Sequence, residues 1–161
     1  MGYFGFGAPS HFAGGRQRES DRVPFASSQL SLLIAHADES GWPADLSGSL
    51  SRWPVGVHWT HSDMEAIGIA TSSPVHLVIV DDLLPPSGGI EAIRRIRRVG
   101  LTTPCLYVCN DPAPRLLSDA IKLDVFSVVE GERHHDQIVE MITRVVRRVY
   151  DIELPKLPSL N

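Results

Sequence analysis

Five short runs of Val, Ile and Leu, each followed by a segment carrying helix signals, constrain this chain more than any other feature. The runs are Leu30 to Ala35, Val55 to Trp59, Val75 to Val80, Pro104 to Cys109 and Val125 to Val129, and each is a strand candidate. After its first residues the third is apolar on both parities, as a central strand covered on both faces must be. Pro43 suits the first turn of a helix carrying Leu46 and Leu50. Ser62 or Asp63 can cap a second through Met64, Ile67 and Ala70. Gly88-Gly89 precedes a third, with Ile90, Ile93 and Ile96 inward and Arg94, Arg95, Arg97 and Arg98 mostly outward. Asp111 is the expected cap of the fourth. Ile138, Met141, Ile142, Val145, Val146 and Val149 recur at helical spacing in the last. The alternation specifies an α/β fold of (βα)5 type, a doubly wound parallel five-stranded sheet.

At 161 residues one domain is expected. Fifteen Lys and Arg against nineteen Asp and Glu leave a net charge of −4, so no global positive field invites nucleic acid. No run approaches the ~18 apolar residues that cross a bilayer, and no apolar stretch follows a basic start, so neither membrane insertion nor secretion is expected. Met1-Gly2 opens like a myristoylation signal, but Phe6 stands where Ser or Thr is required. The two cysteines, Cys105 and Cys109, would lie about 13 Å apart on one strand, too far for a disulfide, and a cytoplasmic location follows as the expectation. Residues 1–28, rich in Gly and Phe, read as a flexible tail, 29–150 as the domain and 151–161 as a second tail, because Pro155 and Pro158 stop any helix.

In an open parallel sheet, ligands bind beyond the carboxyl ends of the strands. There the sequence places His36, Ala37, Asp38 and Glu39 after the first strand, Asp81 and Asp82 after the third, Cys109-Asn110-Asp111 after the fourth and Glu130-Gly131-Glu132 after the fifth, an acidic rim. A carboxylate in such a place also serves simply to cap the following turn. Other charged clusters read as solvated surface: His134-His135 with Glu132 and Asp136 as a helix start rather than a metal site, and Arg94 to Arg98 with Arg144, Arg147 and Arg148 as helix faces.

The segment His76 to Glu91 resembles the receiver domain of two-component response regulators, and the likeness runs over about residues 29–150. Asp81, Pro85, Gly89, Ile90 and Glu91 fit the offsets of the phospho-accepting Asp, the following Pro and the Gly-apolar-Glu helix start; Pro104 and Val125 to Glu130 continue it. The resemblance implies a flavodoxin-like or CheY-like sheet of order 2-1-3-4-5, with Asp81 as phospho-acceptor position. It implies a Mg²⁺ held by Asp81 and an acidic pair after the first strand, a pair that falls on His36 and Ala37 and leaves Asp38 one place late. The hydroxyl switch position falls on Cys109, and the lysine that faces the phosphoryl group falls on Gly131, or on Glu130 if the register slips. These departures imply a degenerate pseudo-receiver, a stand-alone non-enzymatic signalling module with impaired phosphorylation. Its expected partners are a sensor kinase, another receiver or an effector, with a weak homodimer through helix 4, strand 5 and helix 5. A working receiver phosphorylated at Asp81 is the alternative within the family. From another class, Val78 to Leu84 before Gly88-Gly89 also looks like the ribose-phosphate motif of phosphoribosyltransferases, but Pro85 and Pro86 remove two phosphate-binding N–H groups and Ile90 replaces the closing Thr.

Overall fold

The computed structural model describes residues 30–37, 41–130 and 135–158. The expected tail 1–28, Asp38, Glu39, Gly131, Glu132 and His134 lie outside the described residues. Among the described residues five strands alternate with five helices: β1 (Leu30–Ala35), α1 (Trp42–Leu50), β2 (Val55–Thr60), α2 (Asp63–Ser72), β3 (Leu77–Asp81), α3 (Gly89–Arg98), β4 (Cys105–Cys109), α4 (Pro114–Lys122), β5 (Ser127–Glu130) and α5 (His135–Tyr150). All neighbouring strands run parallel in the order β2-β1-β3-β4-β5.

The period of two along each strand builds two cores. Leu30, Leu32, Ile34, Leu77, Ile79, Leu106 and Val108 face one side, where Trp42, Leu46 and Leu50 of α1 and Ile138, Ile142, Val145 and Val146 of α5 close over them. Leu33, Ala35, Val78, Val80, Cys105, Tyr107 and Cys109 face the other, beneath Ala66 and Ala70 of α2 and Ala92, Ile93 and Ile96 of α3. Burying each large apolar side chain contributes about 1.5–3 kcal/mol, so both faces must be covered.

Several expectations change at element ends. The third, fourth and fifth strands begin after Val75, Pro104 and Val125 rather than at them. Val125 donates its N–H to Ala120 at 3.0 Å, closing α4, and Asp124 before it has φ 53°, so extended pairing starts later. Asp111 does not cap α4: the helix starts at Pro114, with Ala113 extended at φ −64° and ψ 149°, because a residue before proline is pushed out of the helical region. Ser62 caps α2 by accepting Glu65 N–H at 3.2 Å. The inner face of that helix is Asp63, Ala66 and Ala70; Met64, expected inward, is exposed, as is Val149 in the last turn of α5.

Two arginines of α3 do more than line a solvated face. Arg95 reaches Asp63 Oδ2 at 2.9 Å, and Arg97 donates to the carbonyls of Leu123 (2.9 Å), Leu101 (3.0 Å) and Thr103 (2.8 Å), tying the α3–β4 connection to the α4–β5 connection. The segment after α5 is not a bare tail either: Leu154 is buried, Ile152 and Leu157 pack on the α1–α5 core, and Pro155 O accepts Trp53 Nε1–H at 2.8 Å.

Candidate functional site

The register Ile34↔Ile79 and Ala35↔Val80 carries the chain one step further to His36 beside Asp81, on the same face of the sheet. His36 Nε2 lies 3.2 Å from Asp81 Oδ2. Trp42, the first residue of α1, donates its indole N–H to the same oxygen at 2.9 Å and meets the His36 ring edge-on, with centroids 5.0 Å apart. Gly41, at φ 77°, turns the chain into α1 just before this contact. The other oxygen, Asp81 Oδ1, accepts Leu83 N–H at 2.8 Å. Asp81 is 8% exposed, and its carboxylate is thus surrounded by hydrogen-bond donors. His36 is fixed in turn by its own N–H on Thr60 O at 2.9 Å and by its carbonyl, 3.0 Å from His61 Nδ1.

Asp82 points elsewhere: its Oδ1 accepts the hydroxyl of Tyr107, a fully buried β4 side chain on the α2–α3 side of the sheet. Burial first, and the neighbouring Asp82 carboxylate second, push the Tyr107 phenol far above its ordinary pKa. Gly89 packs against both groups, since a Cβ there would fall on the Asp81 carbonyl oxygen and lie 2.8 Å from Tyr107 Cε2. The glycine at this offset is therefore required by close approach of α3 to the end of β3. Cys109 is buried at the end of β4, and Cys105, on the same strand, has its thiol pushed up to about 11 by burial.

Mg²⁺ demands oxygen ligands in near-octahedral array. Among the described residues, those around Asp81 do not fit it: Asp81 faces an indole N–H, an imidazole and a backbone N–H, Ala37 carries no ligand, and Asp82 is turned to Tyr107. No group of three His, Cys, Asp or Glu able to hold a metal occurs among the described residues. Asp38 and Gly131 lie outside them.

Sequence reasoning places His36, Asp81 and Cys109 at the strand ends where the structure has them, and misses Trp42 and Tyr107. A Trp directly ahead of a proline-started first turn, facing a carboxylate-bearing strand end, is the signal that could have identified Trp42. His135, read as solvated, instead has its Nε2 2.8 Å from Ser49 Oγ and joins α5 to α1.

No protein-family model matches the chain. A two-component response regulator of Oryza sativa subsp. japonica is 44% identical over 43 residues, which cover 27% of this chain and 34% of that protein. The match thus spans about a third of that relative's length. Among solved structures, the signal receiver domain of a putative Luxo repressor protein from Vibrio parahaemolyticus superposes with a TM-score of 0.69 at 16% identity, over 76% of this chain and 93% of that one. A two-component response regulator from Clostridium difficile gives 0.68 at 20% identity, over 75% and 98%. The CheY-like receiver domain protein from Methanospirillum hungatei JF-1 gives 0.68 at 12% identity, over 77% and 99%. With its strand order and five flanking helices, the chain has the CheY-like (βα)5 fold that these receiver domains share.

Proposed function

We propose that this domain is a pseudo-receiver of two-component signalling, which acts by contact with other proteins and accepts phosphate at Asp81 poorly or not at all. The observation that carries the reading is the occupancy of the Asp81 carboxylate by Trp42 Nε1–H, His36 and Leu83 N–H. A nucleophilic carboxylate must approach phosphorus in line and share the developing charge with a cation. Here Oδ2 already meets two nitrogen groups, and Asp82 is committed to Tyr107. The response regulator from rice and the receiver domains of the same fold support a signalling role. Partners of this reading are a sensor kinase, an effector or another receiver in the cytoplasm. The contact surface is α4–β5–α5, where Leu117 and Ile121 on α4 stand 39% and 79% exposed; self-association through this surface would be weak. No described helix is long and apolar enough to cross a membrane.

The phosphoribosyltransferase reading loses its main support at the loop after β3. Gly88 N–H bonds Leu84 O at 2.8 Å and Gly89 N–H bonds Asp82 O at 3.2 Å, so these groups close a turn rather than cradle a phosphate.

Incubation with Mg²⁺ and a small acyl phosphate, followed by intact mass, tests the proposal. The expected result is little or no species heavier by one phosphoryl group. Substantial modification abolished by Asp81→Asn overturns the reading and establishes a working receiver. Trp42→Phe with Ala37→Asp and Gly131→Lys should restore modification; a folded variant that stays unmodified would show that the site has been misaligned.

A further inference from the structure

The segment after α5 packs back on the domain. At Asp151 the chain adopts φ 56°, with Asp151 N–H on Arg147 O at 3.0 Å and Ile152 N–H on Val146 O at 3.4 Å, a left-handed helix stop that turns it back toward α1. Residues 152–158 then run without helix or strand and join no strand of the sheet. Their anchors are few and regular. Leu154, 7% exposed, enters the α1–α5 core, and Leu157 three residues on packs at its margin. Between them Pro155 O accepts the Trp53 indole N–H at 2.8 Å, and Glu153 sits 3.2 Å from Arg147. Beside this strap a groove of about 840 Å³ lies along the seam of the two helices, flanked by Gly48 and Ser49 of α1 and by His135 and Val139 of α5.

We propose that the seat on the α1–α5 seam occupied in cis by residues 152–158 is a binding site for extended Leu-Pro-x-Leu-Pro segments of a partner protein. The ligand class is read from the occupant. Two leucines three residues apart fill two apolar seats, and the prolines beside them restrict φ, which lowers the entropy lost when an extended segment is ordered. A tryptophan whose N–H meets a backbone carbonyl of an extended, proline-containing segment is a recurring way of reading such segments. The groove that adjoins the strap leaves room for side chains of a longer segment than the one seated. The site is separate from Asp81, on the far part of α1, and does not depend on whether Asp81 is phosphorylated.

Two measurements test it. In the wild-type chain, native-state hydrogen exchange should show the amides of Ile152, Glu153, Leu154, Lys156 and Leu157 opening at least about a hundredfold faster than those of Ile142 and Val145 in α5, as a bound segment would. Opening of both only in global unfolding would make the strap part of the core and overturn the proposal. In the variant Leu154→Ser with Leu157→Ser, checked for cooperative unfolding, a labelled peptide of residues 151–161 should bind at least about tenfold tighter than to the wild type, by anisotropy. Adding Trp53→Phe should weaken that binding severalfold, and a scrambled peptide should not bind. A folded variant that fails to take the peptide, or takes the scrambled one equally, overturns the proposal.

Discussion

Trp42 Nε1 donates to Asp81 Oδ2 at 2.9 Å, so the first residue of α1 is fastened to the last residue of β3. The bond is buried, and His36 shares the oxygen. Removing one partner of a buried hydrogen bond to a charged group costs about 1.5–3 kcal/mol. Trp42→Phe is therefore expected to lower stability by about 2 kcal/mol in urea unfolding. His36→Ala should cost less by itself and be non-additive with it, because both act on one carboxylate oxygen. Simple additivity of the two would mean that the groups act on Asp81 independently.

Gly89 and Gly48 should respond oppositely to the same substitution. A Cβ at Gly89 meets the Asp81 carbonyl and the Tyr107 ring, whereas one at Gly48, in the interior of α1, meets nothing within 4 Å. Gly89→Ala is expected to destabilise by about 2 kcal/mol or more through displacement of α3. Gly48→Ala should stabilise by about 0.5–1 kcal/mol through helix propensity. Thermal unfolding of both variants checks the pair, and a neutral Gly89→Ala would show that α3 can move off the site.

Asp63 is fully buried with Oδ2 on Arg95, while its Oδ1 has no partner among the described residues. An incomplete shell of this kind makes the pair costly to break and inexpensive to replace. Arg95→Met should destabilise by about 2 kcal/mol, discounted because the Arg95 side chain is 36% exposed and water can reach the gap. Arg95→Met combined with Asp63→Leu should recover most of that loss. A double mutant as unstable as the single would show the ion pair to be a net stabiliser.

The strand-end positions of His36 and Asp81 were legible from apolar patterning, but their contact depends on β1 lying beside β3 in register, an order that only the resemblance to receivers implied. Trp42 was not, because its place depends on how the chain crosses from β1 to α1 and on the φ of 77° at Gly41, neither of which leaves a periodic trace. Tyr107 was hidden inside an apolar run, where its ring reads as core and its hydroxyl partner, Asp82, comes from the turn after β3. Arg97 sits on a solvent-directed stretch of α3, yet its long side chain folds back to carbonyls of neighbouring turns, a contact set by tertiary placement rather than by helix phase. Leu154 and Leu157, flanked by prolines, carry no helix or strand signal, so their burial appears only once α1 and α5 are side by side.

Alkaline pH should destabilise the domain through groups that the fold keeps neutral. Burial pushes the Cys105 thiol up from 9.0 to about 11, and burial with the Asp82 carboxylate raises the Tyr107 phenol as well. Below pH 9 both thiol forms, folded and unfolded, hold their proton, and the contribution of Cys105 is fully present. Between about pH 9 and 11 the unfolded thiol ionises while the folded one does not, so the unfolded state binds fewer protons and stability falls as pH rises. The slope from Cys105 is at most about 1.4 kcal/mol per pH unit and levels off above pH 11. Urea unfolding at pH 8, 9, 10 and 11 should show this decline, and Cys105→Val should remove the Cys105 share of it while leaving the decline due to Tyr107. The folded thiol should also resist alkylation at pH 8, reacting only once urea unfolds the chain. An unchanged slope in Cys105→Val, or rapid native alkylation at Cys105, would show that the thiol is accessible and ionises normally.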